Sequence, residues 1–329
     1  MSKPKPRTSM QDIADRLGIT KVSVSKAIND KPGVSEKLRR RVLQVADEMG
    51  YAIQRPTGEK KSFALVVPKR FFLETDKFYN EIFYHLNNLF IRNGDNLTPM
   101  VLNLQREEAA DEASLYDGFD GIFMAGELSD TYINMLHTTN IPLVAIDFYK
   151  THLIAAFVLI DNFYLGYHAT THLITKGHKE IGFVGNINQT SSINDRYFGY
   201  LKALQNNGLA LCEEWIIPNN DPKTGLYEID IPFPKVLPTA FVCHCDMAAY
   251  FLINSLKKLG KTIPGDVSII SFDNTELSQA SGISSMDINK NEIAKTAYYL
   301  MEKIIQKKRY HNRYYVDASL IERESVKEL

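Results

Sequence analysis

Ser9-Met10-Gln11-Asp12-Ile13-Ala14-Asp15-Arg16-Leu17-Gly18-Ile19-Thr20-Lys21-Val22-Ser23-Val24-Ser25-Lys26-Ala27-Ile28 reads as two short helices on either side of a glycine. Ser9 can cap the first, with an acid in its first turn, and Ile13, Ala14 and Leu17 recur at the spacing of one buried face. Gly18, lacking a Cβ, lets the chain turn sharply, and Ile19 plugs that turn. Thr20 can cap the second helix, Lys21–Ile28, whose inward side is Val24, Ala27 and Ile28. After the break at Lys31-Pro32-Gly33 a third helix starts near Ser35, carries Leu38, Val42, Val45 and Met49 inward, and stops at Gly50. Three short helices with a tight turn between the first two make an all-α helix-turn-helix headpiece.

The outward side of the second helix offers Lys21, Val22, Ser23, Ser25 and Lys26, without a carboxylate to repel phosphates. Side chains at its start can reach base edges while flanking donors hold the backbone. The chain's formal charge is −1, yet Met1–Lys61 carries 14 Lys/Arg against 7 Asp/Glu, leaving 24 against 32 for the remainder. A basic N-terminal module on an acidic remainder points to a polyanionic partner for the first part alone. The alternative for Lys21 and Lys26 is two solvated surface lysines.

Beyond the headpiece, from Phe63 on, short apolar runs alternate with helical stretches. Strands are expected at Phe63–Val67, Gly121–Met124, Leu143–Ile146, Val158–Ile160, Ile181–Val184, Ala240–Cys243 and Val267–Ser271. Helices are expected at Asn80–Asn93, Asp130–Thr138, Phe163–Lys176, Arg196–Gly208, Met247–Leu259 and Glu292–Ile305. That alternation predicts an α/β core of parallel sheets covered by helices, which binds ligands beyond the carboxyl ends of its strands. Cys243-His244-Cys245 has no second ligand cluster at metal-binding spacing and reads as a buried strand end; Cys212 stands apart, and no metal or cofactor is expected. No apolar run reaches a membrane span, and the first residues carry no secretory pattern, so a cytoplasmic protein without membrane association is expected. No nucleophile–base constellation or phosphate-cradling loop is present, so an enzyme is not expected. His178, in a Gly-His-Lys turn, reads as a loop anchor rather than a base.

The types and spacing of Met10-Gln11-Asp12-Ile13-Ala14, Gly18-Ile19-Thr20, Val24-Ser25-Lys26-Ala27-Ile28-Asn29, Val34-Ser35 and Gly50-Tyr51 resemble the LacI/GalR repressor family. The resemblance continues through Gly177–Phe183, Asp195–Tyr200, Pro238–Phe241 and Pro264–Ser268. It implies a headpiece over residues 1–51, a linker over 52–62, and over 63–329 a two-lobed core like periplasmic sugar-binding proteins, with three crossings near Asp161, Asp287 and Val316. By that resemblance Lys21, Val22, Ser25 and Lys26 would face bases, and Ser23, Asn29, Ser35 and Tyr51 would sit at phosphates. Phe78, Tyr79, Asp161, Arg196 and Asp273 match its effector-contacting positions. Arg196, taken to open a helix, offers a guanidinium suited to vicinal hydroxyls or a carboxylate; Asp273, ending a strand, can accept from hydroxyls or an amine. A plain Arg–Asp ion pair across the cleft is the alternative.

Three departures qualify the resemblance. Ala52–Ser62 lacks the leucine that the family's hinge helix wedges into the minor groove, and Pro56 with Gly58 opposes a helix there. Cys245 stands where the family places an asparagine whose amide reaches the effector. Asn219–Lys235, where a helix is expected, carries Pro222, Gly225, Pro232 and Pro234 and reads as loop. The function these readings imply is a homodimeric repressor of a pseudo-palindromic double-stranded operator, governed by a small polar effector of saccharide type. The alternative is a signal from a phosphorylated phosphocarrier protein docking on the core.

Overall fold

The computed structural model describes residues 8–28, 31, 33–49, 51, 60–72, 77–221, 223–228 and 231–329. They fall into two units, an N-terminal one that runs to Lys60 and also takes in Leu89–Asp95, and a core made of the rest from Lys61.

In the N-terminal unit the expected helices form at α1 (Met10–Leu17), α2 (Lys21–Ile28) and α3 (Glu36–Glu48). Local signals set their ends. Ser9 and Asp12 form a reciprocal capping box, and Gly18 closes α1 at φ +64°. Thr20 Oγ1 accepts from the Ser23 N–H at 3.1 Å, and Ser35 Oγ from the Leu38 N–H at 3.3 Å. Ile13, Ala14, Val24, Ala27, Val42, Val45 and Ala46 make the shared core, with Tyr51 packed at its margin. The linker residues Ala52–Glu59, and with them the missing-leucine reading, lie outside the described residues, as does Asn29.

The core holds two six-stranded sheets. In the first, β1 (Ser62–Pro68), β2 (Asn96–Leu102), β3 (Gly121–Ala125), β4 (Leu143–Ile146), β5 (Ala156–Ile160) and β11 (Arg313–Val316) stand in the order β11-β5-β4-β3-β1-β2, all parallel. In the second, β6 (Ile181–Val184), β7 (Ile216–Ile217), β8 (Ala240–Cys243), β9 (Ser268–Phe272), β10 (Ser284–Ile288) and β12 (Ala318–Ile321) stand in the order β12-β10-β9-β8-β6-β7, with only β12 antiparallel. The central strands β1, β3, β4, β6 and β8 are apolar and buried but for Ser62 at the start of β1, as sheets covered on both faces require. Each lobe packs its own hydrophobic cluster.

The covering helices include α4 (Phe78–Arg92), α5 (Leu104–Ala109), α6 (Asp130–Thr138), α7 (Asn162–Thr175), α8 (Ser191–Asn206), α9 (Asp246–Lys258), α10 (Glu276–Ala280) and α11 (Lys290–Ile305). The chain passes between lobes three times: at Asp161 after β5, at Asn289 after β10, and at Asp317 between β11 and β12. The last two fall one or two residues beyond the expected positions. Because β5 and β10 each end at a crossing, the carboxyl ends of both sheets face the space between the lobes. None of the described helices is long and apolar enough to cross a membrane.

One boundary is corrected. Arg196 does not open a helix: α8 begins at Ser191, where Thr190 Oγ1 accepts from the Ile193 N–H. The capping threonine lies six residues before Arg196, more than one turn earlier than the expected start. Arg196 is therefore anchored inside the helix.

Candidate functional site

In the N-terminal unit the solvent-facing side of α2 presents Lys21 and Val22, the latter 63% exposed, with Ser23, Ser25 and Lys26 half-buried beside them. Ser35 spends its hydroxyl capping α3, and the Tyr51 N–H closes that helix on the Ala46 carbonyl. The residue that sequence reasoning missed is Arg39. Its side chain is buried and donates to the carbonyls of Ala27 and Lys31, each at 3.1 Å, and of Lys26 at 3.4 Å. These are carbonyls of the last turn of α2 and the chain leaving it, where a helix end runs short of backbone donors, although the Lys26 carbonyl also accepts from the Lys31 N–H at 2.8 Å. Arg39 thus fixes the angle at which α2 is held. Its spacing to Val42 and Ala46, three and seven residues on, marks the inner face of α3 and could have revealed it.

In the core, Arg196 is brought to depth by two glycines. A Cβ on Gly166 of α7 would lie 2.1 Å from the Arg196 carbonyl oxygen, and one on Gly199 of α8 would lie 2.1 Å from the Phe163 carbonyl oxygen. The two helices can therefore touch backbone to backbone. The guanidinium, buried, donates through Nε to Asn162 Oδ1 at 2.8 Å and through Nη1 to the His244 carbonyl. It lies 4.6 Å above the Phe272 ring, with Nη2 3.7 Å from Asp273 Oδ1. Both members of that ion pair belong to the second lobe, so it does not span the cleft. Asp273 follows β9 directly, at φ +98°, and its carbonyl accepts from Lys290 Nζ.

The first lobe contributes Tyr79 and Phe78, edge to face at 5.0 Å in the first turn of α4. The Tyr79 hydroxyl donates to Asp147 Oδ2 at 2.8 Å. Asp147, at the carboxyl end of β4, is a site residue the sequence reading passed over, although the rule that singled out Asp273, an acid directly after an apolar strand, applies equally to it. It is buried, and its Oδ1 has no hydrogen-bond partner among the described residues. Burial pushes its carboxyl above the ordinary range, and the Arg196 charge and the Tyr79 hydroxyl offset only part of that. Asp161 stands apart: it is exposed at the first crossing, where its carboxylate caps α7 by accepting from the Tyr164 N–H.

Behind Arg196, His244 stacks on Tyr227, with ring centroids 6.3 Å apart, and is buried. Burial first, and the Arg196 charge second, push its pKa down to about 3, so it is neutral at pH 7. Cys245 caps α9 with its sulfur, which also meets the Tyr227 hydroxyl at 3.2 Å. Asp246 accepts from Ser271 Oγ, Ser285 Oγ, and both the N–H and hydroxyl of Thr275, which ties the β9 and β10 ends together. His178 is the anchor it was read as: its ring bonds Thr239 Oγ1 and the Lys327 carbonyl. Among the described residues no group of His, Cys, Asp and Glu is arranged to hold a metal ion.

Comparisons with known proteins place both regions. Residues 9–54 match the bacterial regulatory proteins of the lacI family, and residues 170–326 the periplasmic binding protein-like domain. An HTH-type transcriptional repressor PurR of Erwinia tasmaniensis is 28% identical over 335 residues, covering 97% of this chain and 96% of the relative. Similar folds include a transcriptional regulator CelR–cellobiose complex (TM-score 0.68, 21% identity, 97% and 100% of the two chains). They also include a LacI family regulator from Enterococcus faecium with bound ribose (0.68, 21%, 82% and 100%). A third is the lac repressor dimer bound to operator and an anti-inducer (0.66, 17%, 98% and 100%).

Proposed function

The chain belongs to the lacI family of bacterial regulatory proteins, with a periplasmic-binding-protein-like effector domain, and on that premise we propose that a small polar ligand between its lobes sets its affinity for an operator. As a DNA-binding transcriptional repressor it is a regulator and not an enzyme. What supports the finer reading is one combination: an exposed, carboxylate-free recognition face on α2, and a buried polar site whose acceptors are incompletely used where the two sheets face each other.

In this reading Lys21, Val22, Ser25 and Lys26 meet base edges, while Ser23, Asn29, Ser35 and Tyr51 lie along phosphates. One headpiece buries little surface, so two headpieces on a homodimer read two half-sites of a pseudo-palindrome with additive gain. The protein then acts in the cytoplasm, where the operator is. Arg196, Asp273, Phe78 and Tyr79 surround the effector, joined by Asp147, and Asp161 acts at the first crossing. Saccharides suit this set, because hydroxyls both donate to carboxylates and accept from a guanidinium. A ligand that favours one lobe arrangement must alter DNA affinity, since the coupling is reciprocal.

A thermal-shift screen of sugars on the wild type and on Arg196→Ala and Asp273→Ala tests this. A saccharide should raise the wild-type melting temperature and lose that effect in both variants. A hit indifferent to both substitutions would remove the assigned pocket.

A further inference from the structure

The helix pair that holds Arg196 at depth has an outer side of unusual composition. Of the 14 residues of α7 and the 16 of α8, the only Asp, Glu, Lys or Arg residues are Asp195, Arg196 and Lys202. Arg196 is buried, so this side offers solvent one acid and one base. Between them stands Phe198, 49% exposed, and beside it Phe163 of α7, 45% exposed, whose carbonyl is the group that a Cβ on Gly199 would meet. Asp195, Phe198, Leu201, Lys202 and Gln205 recur at helical spacing along α8 and, with Phe163, line one open groove. A solvated helix face is ordinarily rich in charge, whereas the core of a protein–protein interface is depleted in charge and enriched in aromatic rings.

Neither outward charge is matched within the chain. Asp195 accepts from the Tyr149 hydroxyl, at 3.2 and 3.3 Å to its two oxygens, and forms no ion pair with the described residues. Burial pushes its carboxyl above the ordinary range, the Tyr149 hydroxyl offsets part of that, and the Asp161 and Glu127 carboxylates add to it. A cation is what its surroundings lack. Lys202 donates to Gln205 Oε1 at 3.3 Å and likewise meets no acid among the described residues. The two lie seven residues apart, about 10 Å along the helix, too far to pair with each other. Phe198 stands near their midpoint. A second α8 turned end for end about that midpoint sets Asp195 of each copy against Lys202 of the other, with the phenylalanines between.

We infer that this face pairs with the same face of a second copy of the chain, α8 against α8 and antiparallel, about a two-fold axis near Phe198. Aromatic rings fill the centre and two equivalent ion pairs close the rim. Such a contact is self-complementary, so it takes one partner and stops. α7 packs on β8 and β9 of the second lobe, and α8 on α7, whereas the linker leads into β1 of the first lobe. A contact confined to the second lobe does not draw the first lobes together, so it is additional to the pairing of two headpieces on an operator, and it joins dimers in twos. It does not depend on the effector reading.

Sedimentation velocity of the full chain over a range of about 1 to 100 µM tests this. Wild type should pass from two chains to four as its concentration rises. Phe198→Asp should weaken that step by at least about 10-fold and leave the melting temperature in place, because the ring is half exposed. Asp195→Lys or Lys202→Asp alone sets like charges face to face at both ends and should weaken the step about 10-fold. The double variant, Asp195→Lys with Lys202→Asp, restores opposite signs and should return to within about threefold of wild type. A wild type that stays at two chains or fewer at the highest concentration would overturn the inference. So would a four-chain species that Phe198→Asp leaves intact, or a double variant no tighter than the single ones, since the two charges would then not meet across the axis.

Discussion

Each unit of this protein buries an arginine, and the two are used differently. Arg39 donates to three backbone carbonyls around the end of α2, acceptors that belong to the fold and go nowhere. Arg196 shares itself among an amide, a carbonyl, a carboxylate and an aromatic face, and its charge acts on Asp147, one of whose oxygens has no hydrogen-bond partner among the described residues. A buried cation costs several kcal/mol in desolvation, on the order of what its new bonds return. Arg39 directs its Nη donors at the backbone of its own unit, which makes it a fastener. Arg196 sits in a set that is only partly satisfied, and such a set is where an incoming ligand has most to gain.

Removing the fastener should have the largest effect. Arg39→Ala removes the side-chain donor from the buried Ala27 carbonyl and from two part-buried ones, and should cost the headpiece about 3 kcal/mol, much of the stability of so small a domain. Operator affinity should drop by at least about 100-fold, while the core's melting transition stays in place. Gel shifts with calorimetry check both, and a variant that still binds its operator would break the contrast. Arg196→Ala should cost the core about 2–3 kcal/mol, read from urea midpoints. Operator binding without ligand should persist, and the response to a bound saccharide should vanish.

Acid sharpens the comparison on the side of the cleft. His244 has its pKa pushed down to about 3 from 6.5, so the unfolded chain binds a proton that the native state refuses. The stability this reflects is fully present above pH 6.5 and is lost as the pH falls toward 3, by up to about 1.4 kcal/mol per unit. His244→Asn should flatten that slope in urea titrations at pH 7, 6 and 5; an unchanged slope would place the acid sensitivity elsewhere. The smallest effect belongs to Asp147→Asn. The Asp147 carboxyl is raised from 3.8, so its ionisation opposes folding as the pH climbs past that value. The variant should match or exceed wild type in stability at pH 7, within about 1 kcal/mol. A marked loss would show that the carboxylate is structural.

The headpiece was legible because its signals are local: a capping serine, a glycine turn, two further hydroxyl caps. In the core, the strands that could be read are the apolar interior ones. Those that could not, β2, β7, β11 and β12, are the four sheet edges, together with β10. An edge strand need not be apolar throughout, and β2 even holds Pro99. In β10 Ser284 and Ser285 replace apolar residues, and they are buried because Asp246 and the Arg323 carbonyl accept from them. Arg196 and Asp273 were found through resemblance, whereas Asp147 carries no local mark of being under-satisfied. That property exists only once distant strand ends are brought together.

The three crossings also bear on how the chain is made. The headpiece is one unbroken stretch, so it can take shape as soon as it leaves the ribosome. Neither lobe has that freedom. The first needs β11 at Arg313–Val316 to complete its sheet, after every strand of the second except β12 has already been synthesised. The second closes only with β12, two residues after β11 ends. Both lobes therefore mature almost together and late, and a nascent chain carries a finished DNA-reading module well before it has any means of controlling it.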